Sequence, residues 1–393
     1  MDTTRISREI TSLVQDEGAL FVGRVHRPDV DGPAVVRVDG DSLVDITAAF
    51  ATVRDLFEAE DPAAALRSAS GEAIGSLAEI AANTPAAVRD TAKPYLLAPV
   101  DLQAIKASGV TFVVSMIERV IEERARGDAD AAEGIRRHIR ALVGDDLRRL
   151  KPGSPEAMAL KQTLIEAGAW SQYLEVGIGP DAEIFTKSQP MSAVGALSDI
   201  GVHPKSTWNN PEPEVVLAVS SAGRIVGATL GNDVNLRDVE GRSALLLGKA
   251  KDNNASASIG PFVRLFDERF TLDDVRQLDL TLVVDGPEGY RLEGRSSLGE
   301  ISRDPADLVA QTVNAHHAYP DGLVLYLGTM FAPVDDRDEP GRGFTHKTGD
   351  IVTISTPRLG SLVNRVQPTD AIAPWSFGAG QLMRNLAARG LLA

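Results

Sequence analysis

No cysteine occurs among the 393 residues of this chain. Disulfides, Cys-ligated zinc, iron–sulfur clusters and thiol nucleophiles are therefore excluded. The sequence also contains no run of 18 or more apolar residues, the length that would predict a membrane-spanning helix. Any fold must therefore be stabilised by its own hydrophobic core, and any metal site must be built from oxygen and nitrogen ligands.

Concentrated positive charge is missing as well. Lys and Arg number 40 against 55 Asp and Glu, a net charge of −15, and the longest basic cluster, RRHIR followed by DDLRRLK, is interrupted by acids. Because nucleic-acid binding needs a basic surface that displaces counterions, we expect neither nucleic acid nor a membrane as a partner. The N-terminal MDTTRISREITSLVQDEG has no apolar signal region, so we expect a cytoplasmic location.

The chain is long enough for two domains and has the composition of an ordinary globular protein, with 43% hydrophobic and 24% charged residues. Asp-Gly turns between β-rich runs predict a small sheet over residues 18–47, and Ala- and Leu-rich patterns predict helices over 51–93. We therefore predict an α+β, mostly β protein. Its expected domains are a small N-terminal α/β domain, residues 1–95, and a catalytic domain, residues 96–393, in which a helical segment 101–168 precedes a β-rich core.

The stretch PEPEVV places Glu212 and Glu214 two residues apart at the start of an apolar strand. Side chains two apart in a strand share a face, about 7 Å from each other, so the two carboxylates repel unless solvent, a shared proton, a basic group or a cation intervenes. A hairpin-like return brings Asp233 back beside them. Three carboxylates suit Mg²⁺, Mn²⁺ or Ca²⁺, although spacing alone favours a solvated strand face.

Five motifs then follow in a fixed order: PEPEVVLAV, GNDVNLRD, KDNNASASIGPF, YLGTM, and TGDIVTIS with GSLVNRV. This set resembles the fumarylacetoacetate hydrolase superfamily over roughly residues 101–366. The resemblance implies a β-rich catalytic domain folded as a mixed β-sandwich roll. It also implies a divalent metal, Mg²⁺ first, a small-molecule 2-keto acid substrate, and a homodimer or homotetramer.

The same resemblance assigns roles to residues. Glu212, Glu214 and Asp233 fall on the metal ligands of the family. Lys251 falls on its active-site lysine, with Lys249 as the runner-up. Four other residues are candidates for contact with the substrate: Thr329 in the GT element, Arg237 of the RD pair, Lys187 beside Phe185 in IFTK, and His203. For Arg237 a structural ion pair is an equally good interpretation.

One family element differs in this chain. Hydrolases of the superfamily carry an NYxxHxxE segment whose His and Glu activate water, and the corresponding stretch here is TFVVSMIE, with Ser115 at the His position and Glu118 at the Glu. Serine is no general base near neutral pH without a partner, so hydrolysis by the usual dyad is in doubt. Ser115, Glu118 and Glu122 share a helix face, which is either an acid–base surface or a solvated one.

Chain length, the missing histidine and the phrase GVHPxSxWNNPEPE look most like the sugar-acid dehydratases of the superfamily. This similarity implies dehydration of a 2-keto-3-deoxypentonate to 2-oxoglutarate semialdehyde in pentose catabolism. Glu118 would be base or acid, and Lys251 would stabilise negative charge or deliver a proton. Two alternatives remain: an acylpyruvate-type carbon–carbon hydrolase, and a metal-binding relative that acts as a sensor or scaffold.

Overall fold

The computed structural model describes residues 13, 14, 16, 18–112, 116, 120, 150–166, 168, 170–331, 336–338 and 343–392. The fold, core and site that follow are built from these ranges. Within them, no helix has both the length and the apolar character needed to cross a membrane.

The described residues form sixteen strands, most of them short and separated by Gly- and Asp-rich turns, as the sequence pattern predicts. In chain order they are β1 Phe21–Arg27, β2 Gly32–Asp39, β3 Ser42–Asp45, β4 Glu72–Ser76, β5 Tyr95–Leu97, β6 Ala104–Gly109, β7 Glu183–Ser188, β8 Asp199–Val202, β9 Pro213–Val219, β10 Ile225–Asp233, β11 Ala257–Leu265, β12 Asp279–Asp285, β13 Arg291–Ser297, β14 Leu323–Tyr326, β15 Ile351–Thr356 and β16 Gly360–Pro368.

Most helices are short, and several begin at strong capping residues. Thr52 and Asp55 form a capping box at the first of them, and Asp61 caps the next, which has Pro62 at its first position. Among the described residues the α-helices are Val53–Glu58, Pro62–Ser68, Leu77–Ala82, Pro155–Glu166, Gln172–Ile178, Arg237–Glu240, Leu247–Lys251, Leu272–Val275, Pro305–Thr312 and Ala379–Ala388, with 3₁₀ turns at Pro28–Val30, Ala244–Leu246 and Leu298–Glu300.

Two sheets pack around the main core. The larger has the order β4-β3-β2-β1-β11-β10-β9-β14-β6-β7, with β5 also pairing β1, and the smaller has the order β13-β12-β15-β16-β8. Pairing is antiparallel except between β14 and β6 and between β16 and β8. The predicted mostly β, mixed-sheet fold class is thus confirmed.

Strand β9 lies at the centre of the large sheet and is buried on both faces. Val215, Leu217 and Val219 belong to the core shared with the small sheet. Val216 and Ala218 belong to a second core under the helix Val53–Glu58. Because side chains alternate along a strand, Glu214 extends from the same face as Val216, where β9 begins.

The helical segment predicted from residue 101 is wrong at its start, because Ala104–Gly109 is strand β6. This strand pairs parallel with β14 and antiparallel with β7. Its strand conformation depends on partners more than 70 residues away in the chain, and the local sequence pattern does not show these partners. The domain boundary near residue 95 stays a prediction, and β1 pairs with β11, so strands from both sides of that boundary share one sheet.

Asp350, directly before β15, connects the small sheet to Arg337 and His346 in the preceding segment of the chain. Its oxygens accept hydrogen bonds from Arg337 at 2.6 and 2.6 Å and lie 3.0 Å from His346 Nδ1. Burial acts to raise the pKa of Asp350, but the hydrogen bonds from Arg337 and His346 outweigh it and lower the pKa to about 2. The ionised form is therefore the one that stabilises the fold.

Replacing Asp350 with Asn is expected to lower the free energy of unfolding by about 3 kcal/mol at pH 6, because the buried Arg337 loses a charged partner. Since the folded pKa is depressed, this stabilisation is complete above about pH 3.8 and is lost as the pH falls toward 2. Urea denaturation at a series of pH values should show the two proteins converging over that range. The control is Asp338→Asn, at an exposed ion pair with Lys347, whose free energy of unfolding should differ little from that of the parent. A stability difference between the parent and Asp350→Asn that stays constant down to about pH 2 would contradict the stabilising role of ionised Asp350.

Candidate metal centre and catalytic cavity

The backbone brings three carboxylates to one end of the large sheet. Glu212 directly precedes β9, Glu214 lies within it, and Asp233 ends β10. In the antiparallel pairing Glu214 lies opposite Gly231, so Asp233, two residues on, extends from the same face. All three residues are buried, and one carboxylate oxygen from each lies within 4.8 Å of the others.

Gly231 and Tyr326 form the floor beneath these carboxylates. A Cβ atom on Gly231 would lie 2.3 Å from the Tyr326 ring, so the close packing of the ring requires glycine. The Tyr326 hydroxyl donates to the Ser258 carbonyl at 2.7 Å. Burial, with the charges of Asp233 and Glu214, raises the pKa of Tyr326 well above its ordinary value, so the ring is a neutral, fixed support.

Two lysines face the carboxylates from within the protein. Lys251 Nζ lies 2.5 Å from Glu212 Oε2 and 2.9 Å from Asp233 Oδ2. Lys187 Nζ lies 2.8 Å from Asp233 Oδ1 and also donates to the carbonyls of Val234 and Lys251, at 3.1 and 2.6 Å. Asp233 is therefore held between two ammonium groups.

The electrostatics of this cluster favour a further cation. Three carboxylates against two ammonium groups leave one negative charge in a buried site. Burial, followed by the charges of Asp233 and Glu212, raises the pKa of Glu214 well above its ordinary value. Asp233 differs: burial opposes its ionisation, but Lys187 and Lys251 outweigh burial and lower its pKa. The ionised form of Glu214 is thus the least compensated of the three carboxylates, and a bound cation would stabilise it.

The donor set fits a divalent metal. Mg²⁺, Mn²⁺ and Ca²⁺ take oxygen ligands at about 2.0–2.6 Å, so oxygens of one coordination sphere lie within about 5 Å of each other, as these three do. Asp233 Oδ1 is buried, and Lys187 Nζ lies 2.8 Å from it. Glu212, Glu214 and Asp233 would therefore hold the ion.

Outer contacts orient the two glutamates. The backbone N–H of Gly328, just after β14, donates to Glu214 Oε2 at 2.6 Å. The side-chain amide of Asn235 donates to Glu212 Oε1 at 3.1 Å and to Glu240 Oε2 at 2.6 Å. Such partners fix the rotamers of metal ligands and tune their affinity.

Gly328→Ala is expected to weaken Mg²⁺ binding. Gly328 has φ +89°, and its Cβ would lie 2.0 Å from Thr111 Oγ1, so the backbone must move and with it the amide that orients Glu214. Gly289→Ala is a matched control, because Gly289 also has φ +89° but open space around the added Cβ. Both variants should lose about 1 kcal/mol of stability from the left-handed backbone, Gly328→Ala should lose more because of its clash with Thr111, and only Gly328→Ala should lose affinity in a calorimetric Mg²⁺ titration. Equal affinities in the two would contradict this role.

A cavity opens over the carboxylates where β10, β9, β14, β6 and β7 reach the same end of the sheet. Lys251 and Thr329 line it, and Phe185 lies beside Lys251, with its ring centroid 5.6 Å from Nζ. Two further carboxylates, Glu183 and Glu240, also line it. The acids in this cavity thus exceed the three that would hold a metal.

The sequence contained a signal for both missed residues. Glu183, Phe185 and Lys187 are two residues apart along β7, so their side chains share one face of the strand. The family element that singled out Phe185 and Lys187 therefore also indicated Glu183. Glu240 is three residues after Arg237 in a single helical turn. Gly109 makes room for Glu183, since a Cβ on Gly109 would lie 2.0 Å from Glu183 Oε2.

Several predicted site residues lie elsewhere. Lys187 is fully buried behind Asp233 and does not line the cavity among the described residues. Arg237 stacks on Trp208, with its guanidinium carbon 4.2 Å from the ring centroid. His203 and Lys249 line a different cavity. Ser115, Glu118 and Glu122 lie outside the described residues, so their roles stay predictions.

Residues 166–367, half of the chain, match the family model described as fumarylacetoacetate (FAA) hydrolase C-terminal. The chain belongs to this family, which confirms the resemblance drawn from its motifs. It is 30% identical over 201 residues to a probable 2-keto-3-deoxyxylonate dehydratase of Haloferax volcanii, covering 51% of this chain and 65% of the relative. It is also 30% identical over 185 residues to a 2-dehydro-3-deoxy-D-arabinonate dehydratase of Saccharolobus solfataricus, covering 47% and 58%.

The chain thus spans less than two thirds of the length of these relatives. Solved structures extend the similarity of fold further. A 2-keto-3-deoxy-D-arabinonate dehydratase complexed with magnesium and 2,5-dioxopentanoate superposes with a TM-score of 0.60 at 20% identity, over 88% of this chain and 99% of that one. At this identity the match shows the shared fold.

Proposed function

We propose that this protein is a metal-dependent hydro-lyase that removes water from a 2-keto-3-deoxy sugar acid, a 2-keto-3-deoxypentonate, to give 2-oxoglutarate semialdehyde. The observation that carries the proposal is the buried triad of Glu212, Glu214 and Asp233 with Lys251 between two of its carboxylates. Both curated relatives are named as dehydratases of such acids, and the structure with magnesium and 2,5-dioxopentanoate has the same fold.

Dehydration requires a proton to leave C3 and the C4 hydroxyl to depart with a proton. A divalent cation on the triad would supply Lewis acidity at the keto oxygen, which makes the neighbouring C3 proton easier to remove. Lys251 faces the same cavity, and its ammonium would offset negative charge that develops there. Burial acts to lower the pKa of Lys251, but Asp233, Glu212 and Glu240 together raise it, so Lys251 stays protonated.

The proton transfers need carboxylates that are not held as metal ligands. Glu183 and Glu240 meet this condition inside the cavity, and Glu118 remains the candidate implied by the family pattern. Thr329 follows the amide that binds Glu214 and lines the cavity, and it would hydrogen-bond the substrate's carboxylate or carbonyl. After water leaves, the enol product tautomerises to the aldehyde.

An NMR time course of the Mg²⁺-loaded protein with 2-keto-3-deoxy-D-pentonate tests this function. The expected result is the aldehyde proton of 2-oxoglutarate semialdehyde, absent from a sample with Glu214→Gln. An acylpyruvate in a parallel tube tests the hydrolase alternative, which would give pyruvate and a second acid. If metal is bound and neither substrate reacts, both the dehydratase and the hydrolase activity are excluded. That result would favour a metal-binding sensor or scaffold. Light scattering on the same sample tests the predicted homodimer or homotetramer.

A further inference from the structure

Two residues singled out in the sequence, His203 and Lys249, meet in a second cavity of about 570 Å³. It lies across two short helices from the catalytic cavity. In the helix Arg237–Glu240, Glu240 lines the catalytic cavity and Asp238 the second; in the helix Leu247–Lys251, Lys251 lines the first and Lys249 the second. The charged or basic side chains of the second cavity are His203, Lys205, Asp238, Arg242, Lys249 and Asp252.

The three cations of this cavity are unpaired within the described part of the chain. Lys205, Arg242 and Lys249 are exposed, and their side chains make no ion pair or hydrogen bond with another described residue. This is unexpected in a chain of net charge −15, where acids outnumber bases. Mutually repelling cations gathered on one concave surface are typical of an anion-binding site.

The two acids of the cavity are directed to other partners. Asp238 accepts hydrogen bonds from the Ser206 hydroxyl at 2.7 Å and from the Thr207 backbone N–H at 2.9 Å. Asp252 accepts from Gln189 Nε2 at 3.5 Å. Asp238 thus braces the turn that carries Lys205, and neither acid forms an ion pair with Lys205 or Lys249.

His203 adds a neutral donor. Its Nδ1 accepts a hydrogen bond from the Lys205 backbone N–H at 3.1 Å, so the neutral ring carries its proton on Nε2. The backbone N–H of Ser206 donates to the His203 carbonyl at 2.9 Å, which closes the turn. The imidazole N–H and the Lys205 ammonium are therefore presented by one turn, and Arg242 and Lys249 line the same cavity.

We propose that this second cavity binds a small organic dianion, a phosphate monoester or a dicarboxylate, held by Lys205, Arg242 and Lys249 with His203 as a fourth donor. Charge-assisted hydrogen bonds from lysine and arginine to phosphate or carboxylate are the strong ones in proteins. A bound dianion joins the turn at His203 to the helix Leu247–Lys251. Lys251 also belongs to this helix, two residues after Lys249, so the ligand would contact the helix that carries the lysine of the proposed active site.

Isothermal titration of the 393-residue, Mg²⁺-loaded protein with glycerol 3-phosphate and, separately, with succinate tests the proposal without reference to turnover. Saturable binding of at least one probe is expected, and the stronger probe identifies the class of anion. In the Lys205→Gln/Lys249→Gln variant the affinity should fall by about tenfold or more, because two charged contacts are lost. The Lys93→Gln/Lys151→Gln variant removes the same charge elsewhere and should bind within about twofold of the parent.

Three results would overturn the proposal. One is the absence of saturable binding for both probes. Another is equal weakening in the two double variants, which would indicate a general charge effect. The third is binding that survives Lys205→Gln/Lys249→Gln but is lost in Glu214→Gln, which would assign the anion to the metal centre.

Discussion

Replacing Glu214 with Gln is expected to lower the affinity for Mg²⁺ by about a hundredfold while leaving the fold intact. Glutamine keeps an oxygen for the Gly328 N–H but removes one of three charges from the triad. The metal-free variant should be at least as stable as the parent, because the charge it loses is buried beside Asp233 and Glu212. Turnover, if the protein is the proposed dehydratase, should fall with metal occupancy.

Calorimetric Mg²⁺ titration and urea denaturation with and without metal check this result. Glu72→Gln is the control, because Glu72 is exposed on β4 and far along the sheet from the triad. Metal should raise the free energy of unfolding of the parent and of Glu72→Gln, and leave Glu214→Gln unchanged. An unaltered Mg²⁺ affinity in Glu214→Gln would remove the triad as the metal site.

Lys251→Met is expected to have the opposite combination of effects. The ammonium between Glu212 and Asp233 is lost, so the metal-free protein should lose about 3 kcal/mol of stability from uncompensated buried charge. Mg²⁺ should bind at least as tightly as before, because a neighbouring positive charge has gone. Turnover should fall by about a hundredfold or more even at saturating metal, since the cavity loses its cation.

Lys249→Met is the matched control for stability and metal binding. It changes the same residue type in the same helical turn, but its side chain is exposed and lines the second cavity. Its free energy of unfolding should stay within about 0.5 kcal/mol of the parent. If Lys249→Met and Lys251→Met lose the same stability, the assignment of Lys251 as the buried partner of the triad is wrong.

The contrast between these variants separates two tasks within one cluster. Glu214 belongs to the set that would hold the ion, and Lys251 offsets charge without contributing a ligand oxygen. A protein that only stored or sensed a metal would need the first task alone. Turnover by the parent that is lost in Lys251→Met with the ion still bound would therefore favour the enzyme over the sensor.

Parts of this site are visible in the sequence because they depend on local geometry. The period of two in a strand puts Glu212 and Glu214 on one face, and a short return brings Asp233 back two positions beyond the residue that pairs with Glu214. The family resemblance also favoured Lys251 over Lys249, and the structure places Lys251 against the triad. Motif order supported the family, which the match over residues 166–367 then showed.

Other parts depended on contacts between segments far apart in the chain. Gly328 reaches Glu214 because β14 lies beside β9, more than 100 residues away in sequence. Strand β6 had a pattern that resembled the start of a helix, and its pairing with β14 and β7 made it a strand. Lys187 looked like a substrate contact, yet it is buried behind Asp233, since burial depends on what covers a residue.

The sequence by itself therefore determined the mostly β class, the absence of any cysteine chemistry, the acidic triad and the family. Those features follow from composition, from strand periodicity and from motif order, which are local or nearly so. The tertiary structure decided that Glu183 and Glu240 line the cavity over the triad and that His203 and Lys249 line a second one. Their placement depends on which side of a short helix or strand faces which neighbour, and long-range packing fixes that choice.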